Sequence, residues 1–368
     1  MQLEKVTLLH FRNYTREEIS FSPGLNCIQG DNAEGKSNLL EAIHLLSTGK
    51  SFRTHRLSDL IKDSKQEFQI QATFLKDEIS NSLTISFGPE GRKALYNNTS
   101  YSSFLPLLGL LPCVLLAPED ISIITGSPAE RRRFLDLHLS QIDPLYLHHL
   151  GRFHKAMKQR NTLLKKQDQK ELFPWEQIMS LSAHYIAQKR IDAIISLEKQ
   201  ITKIISLLSG AREIFSWNYE NSLKTLTTSP ELYLQKWRET RLKELLLGTT
   251  LIGPHRDDIS FYLQGKEMKT HSSEGQKRSC IAALRLAEWE RFKHLLQYPP
   301  LLGVDDFGVH LDEKRTLLLR EALSSLGQVF LTAPSFSLST QKIHYLQVIN
   351  GTVTSQDALN KKLLMETV

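Results

Sequence analysis

The octapeptide Gly30-Asp31-Asn32-Ala33-Glu34-Gly35-Lys36-Ser37 meets the phosphate-loop pattern GxxxxGK[ST] at every fixed position. The apolar run LNCIQ precedes it, and Leu39, Leu40, Ile43 and Leu46 follow at helical spacing. A strand, a tight glycine turn and an amphipathic helix in succession need a sheet to pack against, so the chain is expected to build a layered α/β fold. In such a loop the backbone N–H groups and the helix N-terminus converge on phosphate oxygens. Lys36 is expected to reach the β- and γ-phosphates, and the Ser37 hydroxyl to ligate Mg²⁺. Kinases, GTPases, helicases and transporters share this loop, which by itself specifies only a nucleoside triphosphate.

The acids that such a loop needs stand far downstream. Leu301-Leu302-Gly303-Val304 reads as a buried strand and ends in Asp305-Asp306, the pattern of a Walker B motif. Asp305 is expected to hold the metal, and Asp306 to orient or deprotonate the attacking water. Upstream, Ser273-Glu274-Gly275-Gln276 opens a helix that runs to about Leu296. Ser273 with Gln276 three residues on is also a capping box.

Between these motifs the pattern changes twice. Strands are expected at Val6–His10, Leu25–Gln29, from Phe68 and from Ser82, with a hairpin turn at Asn97-Asn98. From Pro128 to about Leu247 apolar residues recur three and four apart, as in long helices. After Gly248 the α/β alternation returns, with a helix after Asp312 and a strand at Gln328–Thr332. The expected architecture is one discontinuous α/β domain, residues 1–120 and 248–368, interrupted by a helical lobe at 121–247.

Composition sets limits on function. A formal charge of +6 permits nucleic-acid binding without establishing it. Cys27, Cys113 and Cys280 lack CxxC spacing and read as small core residues, and the thirteen histidines show no metal-ligand spacing. The N-terminal MQLEKVTLLHFRNY has no signal-peptide core, and prolines and a glycine break the apolar run from Phe104 to Ala117 well short of a membrane span. A cytoplasmic protein is expected.

Ser273-Glu274-Gly275-Gln276 resembles the SGGQ-type signature of ABC ATPases, and other segments resemble the RecF family within that group. They are Phe11-Arg12-Asn13-Tyr14, Asn38-Leu39-Leu40-Glu41-Ala42-Ile43, Pro118-Glu119-Asp120, the run from Gly126 to Asp136, and Gly253-Pro254-His255-Arg256-Asp257-Asp258. They lie along nearly the whole chain in the family's order. The resemblance implies an ABC-type ATPase head that uses ATP and Mg²⁺, forms an ATP-dependent homodimer, binds DNA and works with RecO and RecR to load recombinase at gaps. Roles in replication restart and SOS induction follow from the same resemblance. It also implies that Ser273 faces ATP held by a partner subunit and that Arg12 and Asn13 approach the nucleotide. The family's Ser and acid before Leu311-Asp312 are replaced here by Val309 and His310. Leu331-Thr332-Ala333-Pro334 lacks the switch histidine of many ABC ATPases, which implies slow hydrolysis.

A membrane-transporter ATPase shares the loop and signature, but the stretch from Ser37 to Ser273 is long for that class and short for the coiled-coil arms of chromosome-organising heads. A small-substrate P-loop kinase leaves the signature and the helical lobe unexplained. Candidate DNA contacts are Arg131 of the triplet Arg131-Arg132-Arg133, with Lys155, Lys158, Arg160, Lys165 and Lys166; a solvated helix face is the other reading of the lysines. Trp175, Trp217, Trp237 and Trp289 form no stacking platform for single strands, and Trp289 reads as core. His255 and Arg256 either face the nucleotide or brace the fold.

Overall fold

Strand β1 (Gln2–Phe11) buries Leu3, Val6, Leu8 and Phe11, and its pairing on both sides starts an antiparallel sheet. The computed structural model describes residues 1–209, 213–307, 316, 323, 326–334 and 343–355, and these divide into two compact units. The first comprises Met1–Asp120 and the segment from Glu274 onward; the second is Ile121–Ser273.

In the first unit, β1 is followed by β2 (Tyr14–Ser20), β3 (Leu25–Gln29) and α1 (Lys36–Thr48). Next come β4 (Phe68–Lys76), β5 (Ile79–Gly88), β6 (Gly91–Tyr96), β7 (Thr99–Tyr101) and β8 (Cys113–Leu116). One sheet, ordered β2-β1-β4-β5-β6-β7, is antiparallel throughout. Its β6–β7 turn places Asn97 and Asn98 at φ of 45° and 68°, the left-handed pair that a two-residue hairpin requires.

The second unit contains α2 (Ser122–Thr125), α3 (Pro128–Ile142), α4 (Pro144–Lys165), α5 (Leu172–Ser209), β9 (Phe215–Glu220), α6 (Pro230–Leu247), β10 (Asp258–Leu263), β11 (Lys266–Glu267) and α7 (Met268–His271). Here the sequence expectation fails at β9, which lies inside the stretch read as helical. FSWNYE alternates with period two, burying Phe215, Trp217 and Tyr219, and pairs antiparallel with β10 in a sheet ordered β11-β10-β9. Because β10 pairs with β9, residues 248–273 belong to this unit and the α/β return expected at 248 begins at Glu274. Buried ion pairs tie its elements together. Arg160 meets Glu176 and Glu244 at 2.8 and 2.6 Å, while Arg190 meets Asp136 at 2.7 Å and Asp257 at 3.3 Å.

The first unit resumes with α8 (Glu274–Leu296), β12 (Leu301–Val304), β13 (Val329–Ala333), β14 (His344–Ile349) and β15 (Thr352–Ser355). Trp289 is buried in α8 and donates its indole N–H to Pro300 O at 3.0 Å, as a core tryptophan with one polar handle should. The second sheet of this unit is ordered β15-β14-β3-β13-β12-β8, with all pairings parallel except that of β15. Helix α1 contacts β4 and β5 of one sheet and β8 and β13 of the other, and its Leu39, Leu40, Ile43 and Leu46 join one apolar core with both. Its burial on nearly every side explains the dense run of apolar residues after the loop. The three cysteines are buried and form no disulfide, and burial pushes the Cys27 and Cys113 thiols up to about 12, so both are inert packing groups. The helix expected after Asp312 lies outside the described residues.

Candidate nucleotide site

Parallel register brings the motifs together. In the second sheet β13 lies between β3, which ends at the glycine loop, and β12, which ends at the two acids, so loop and acids meet at the carboxyl edge of the strands. That edge is where open α/β sheets bind ligands.

The loop is built tightly. Gly35 sits at φ 121°, and a Cβ there would fall 2.6 Å from Asn13 Nδ2. Asn13 donates to Glu34 O at 2.6 Å and accepts from Asn38 Nδ2 at 2.8 Å; the buried Tyr14 hydroxyl donates to Gly35 O at 2.8 Å. From the β14–β15 turn, Gly351 N donates to Glu34 O at 3.2 Å and Asn350 N to the Glu34 carboxylate. Of the remaining loop residues, Gly30 is buried while Asp31, Asn32 and Ala33 are exposed. Lys36, 5% exposed, donates through Nζ to Gly30 O at 2.8 Å and Asp31 O at 2.7 Å. Its ammonium is thereby held against the loop it belongs to.

Arg12 is placed differently from Asn13. Its guanidinium forks onto both oxygens of the buried Glu41 at 2.8 Å and reaches Asp59 O at 2.9 Å. A bidentate carboxylate partner on α1 thus anchors the Arg12 guanidinium, which stays 22% exposed. Asn13 alone of the pair touches the loop.

Asp305 is the hub of the acid side. Its Oδ1 accepts from Ser37 Oγ at 2.8 Å and from Thr332 Oγ1 at 2.7 Å, and its backbone N donates to Leu116 O of β8 at 2.8 Å. Burial raises its pKa and the nearby Asp306 adds to that, while the two hydroxyl donors and the Arg53 charge oppose it. Asp306 has φ 52°, and its N–H donates to Thr332 Oγ1 at 2.8 Å. A serine hydroxyl and a carboxylate already in contact form a hard-oxygen pair that fits Mg²⁺, which typically takes one or two protein carboxylates and completes its shell with phosphate and water. No group of three or more His, Cys, Asp or Glu positioned to hold a metal occurs among the described residues.

Three residues beside these acids had no part in the site as read from the sequence, although Glu119 and Thr332 stand in segments quoted above. Arg53 donates to Asn38 Oδ1 at 2.9 Å, and its charge is felt by Asp305 and Glu119. Glu119 follows β8; partial burial and the Asp305 charge raise its pKa. Thr332 is fully buried on β13. Strand order brings Glu119 and Thr332 beside the acids, and Arg53 comes from the segment after α1.

The remaining expected residues fall elsewhere. Ser273 and Glu274 are exposed, Gly275 and Gln276 partly so, and α8 begins at Glu274. Lys155, Lys158 and Lys165 are exposed on α4, and Lys166 is exposed at its C-cap. Arg160 is not: its side chain is 0% exposed, bound to two glutamates and to Thr250, and it faces Trp237. Arg131 is also buried and forks onto Asp258 at 2.7 and 3.0 Å, so neither arginine is available to phosphate. Arg132 donates to Asp257 O at 2.8 Å. His255 and Arg256 both bond to Thr250 O and brace the second unit internally. Val309 and His310 lie outside the described residues. Among the described residues no helix is long and apolar enough to cross a membrane.

Comparison with known proteins accords with this geometry. The family model for the RecF/RecN/SMC N terminal domain matches residues 2–356. The DNA replication and repair protein RecF of Protochlamydia amoebophila is 42% identical over 336 residues, 90% of this chain and 94% of the relative. That of Chlamydia trachomatis serovar L2 is 38% identical over 341 residues, 90% of this chain and 92% of the relative. A solved structure of the recombination mediator protein RecF with ATP superposes with a TM-score of 0.88 at 29% identity, covering 96% of this chain and 97% of that one. An Smc head domain from Pyrococcus furiosus, at 18% identity and a TM-score of 0.54, shares the fold. With a loop, an acid pair and a long second unit arranged on one continuous match, the chain belongs to the RecF family.

Proposed function

We propose that this chain is an ATP-dependent DNA-binding protein of recombinational gap repair, replication restart and SOS induction, acting as a slow ATPase switch. The observation that carries the ATP reading is the Ser37–Asp305 hydrogen bond, which couples the phosphate loop to the acid-bearing strand. Relatives named DNA replication and repair protein RecF, and a RecF structure described with ATP in the RecFOR pathway, support the repair assignment.

In this reading the residues from Gly30 to Ser37 cradle the triphosphate, Lys36 exchanges a loop carbonyl for the β- and γ-phosphates, and Asn13 holds the loop from behind. Ser37 and Asp305 would hold Mg²⁺, which would supply charge neutralisation on the phosphates. Asp306 orients or deprotonates the attacking water, and Arg53 adds a cation at the same edge. Ser273, Glu274, Gly275 and Gln276 present the head of α8 to ATP on a second copy, so ATP closes a homodimer clamp on DNA that hydrolysis releases. RecO and RecR are the proposed mediator partners, and the cytoplasm the proposed location.

Sedimentation with and without ATP and duplex DNA tests this. The parent should dimerise with ATP and then bind duplex. Lys36→Ala should lose nucleotide affinity by tenfold or more while remaining folded. Ser273→Arg should still bind ATP yet stay monomeric, because a bulky side chain blocks the helix end in trans. Normal ATP affinity in Lys36→Ala would refute the site, and normal dimers from Ser273→Arg would refute the clamp.

A further inference from the structure

We propose that Thr332 is a positioning residue that fixes the metal-holding and water-orienting acids in one geometry. The proposal rests on the ATPase reading above and concerns a residue to which no motif gives a part. Thr332 is fully buried on β13, between the strand that ends in the loop and the strand that ends in the acids.

The hydrogen-bond directions are forced. A threonine hydroxyl has one proton to donate and lone pairs to accept with. The Asp306 backbone N–H can only donate, so at 2.8 Å the hydroxyl must accept from it. The hydroxyl proton is then directed to Asp305 Oδ1 at 2.7 Å, an arrangement that favours the ionised carboxylate. The backbone carbonyl of the same residue accepts from Phe307 N at 2.9 Å. One residue thus grips three in succession, Asp305, Asp306 and Phe307.

Two consequences bear on chemistry. Ser37 and Thr332 both donate to the same oxygen of Asp305, which fixes the rotation of the carboxylate and hence the direction of its second oxygen. Asp306 stands at φ 52°, a conformation that costs an L residue steric strain, and the N–H bond to Thr332 holds it there. Loss of the hydroxyl should release the Asp306 backbone and free the Asp305 carboxylate to rotate. The loop, with Lys36, Asn13 and Gly35, is left intact.

Thr332→Val keeps the shape and removes the hydroxyl, and Thr332→Ser keeps the hydroxyl and removes the methyl. Three measurements on the full chain separate the possibilities: amide hydrogen exchange at Asp306 and Phe307 without ligand, ATP binding with EDTA or with Mg²⁺, and kcat against KM for ATP. We expect Thr332→Val to lose protection at Asp306, to keep ATP affinity in EDTA within about twofold, and to lose kcat by tenfold or more with little change in KM; the gain in affinity from Mg²⁺ should also shrink. Thr332→Ser should restore all of these. Unchanged protection and kcat in Thr332→Val would overturn the proposal, as would equal losses in Thr332→Val and Thr332→Ser, which would assign the effect to methyl packing. A parent that binds no ATP, yet whose Asp306 protection depends on the Thr332 hydroxyl, would refute the nucleotide reading and leave the backbone clamp standing.

Discussion

Arg160 Nη2 lies 2.6 Å from Glu244 Oε2 with both side chains 0% exposed, and the same guanidinium reaches Glu176 and Thr250. An arginine so enclosed neutralises two buried carboxylates that α5 and α6 contribute, and Arg241 assists by forking onto Glu176 at 2.8 Å. Its role is to hold three helices of the second unit together. Phosphate binding would require it to abandon two buried carboxylates, leaving Glu244 with no cation and Glu176 with Arg241 alone.

Arg160→Ala should therefore destabilise the second unit by about 3–5 kcal/mol, the cost of leaving buried carboxylates with their main cation gone. Urea denaturation followed by tryptophan fluorescence is suited to the measurement, since Trp237 lies under the guanidinium. A midpoint equal to that of the parent would mean that the network relaxes or hydrates at little cost. At temperatures where the variant remains folded, its DNA affinity should match that of the parent.

Arg160 also shows where reading a sequence stops. Its partners are 16 and 84 positions away, and no helical periodicity links Lys158, which is exposed, to Arg160, which is not. Strands β3 and β12 and helix α8 were legible to the residue, because each is bounded by a turn or motif and carries one uninterrupted pattern. Strand β9 was not. Its six residues follow a 38-residue helix, and alternation over so short a span competes poorly with a helical reading of its surroundings. The loop and acid pair were legible because phosphate chemistry restricts residue types. The Thr332 bridge was hidden because any small polar residue on β13 reads alike until strand order sets it beside Asp305.

His255 makes the second unit sensitive to pH. Its Nε2 donates to Thr250 O at 3.1 Å, which fixes the tautomer and leaves Nδ1 buried with no hydrogen-bond partner. Burial, helped by the charges of Arg256, His154 and Arg132, depresses its pKa to about 4 against the Thr250 bond. Since the unfolded chain takes up this proton near the ordinary histidine value, folding excludes it, and stability falls as pH drops from about 6.5 toward 4. Between pH 7 and pH 5 the loss from this group should be about 2 kcal/mol. Urea midpoints of the parent and of His255→Gln at both values give the difference directly; a parent that loses no more than the variant would assign the acid sensitivity to other groups.

The exposed lysines of α4 carry the DNA prediction now that Arg131 and Arg160 are excluded. Lys155 and Lys158 are three apart, Lys158 and Lys165 seven apart, and Arg152 precedes Lys155 by three, so these exposed cations line one side of the helix. Such a stripe suits the regularly spaced charges of a phosphate backbone and needs no base contact. Reversing Lys155, Lys158, Lys165 and Lys166 to Glu should lower duplex affinity by about a hundredfold or more at low salt, and should flatten the dependence of log K on log salt by up to about four units, roughly one for each phosphate no longer neutralised. ATP affinity should be unchanged, because Lys36 and Asp305 belong to the other unit and keep every bond described above. A salt titration by fluorescence anisotropy reads both quantities at once. If affinity and slope both survive the fourfold reversal, the stripe is a solvated helix face and the DNA surface lies elsewhere on the chain.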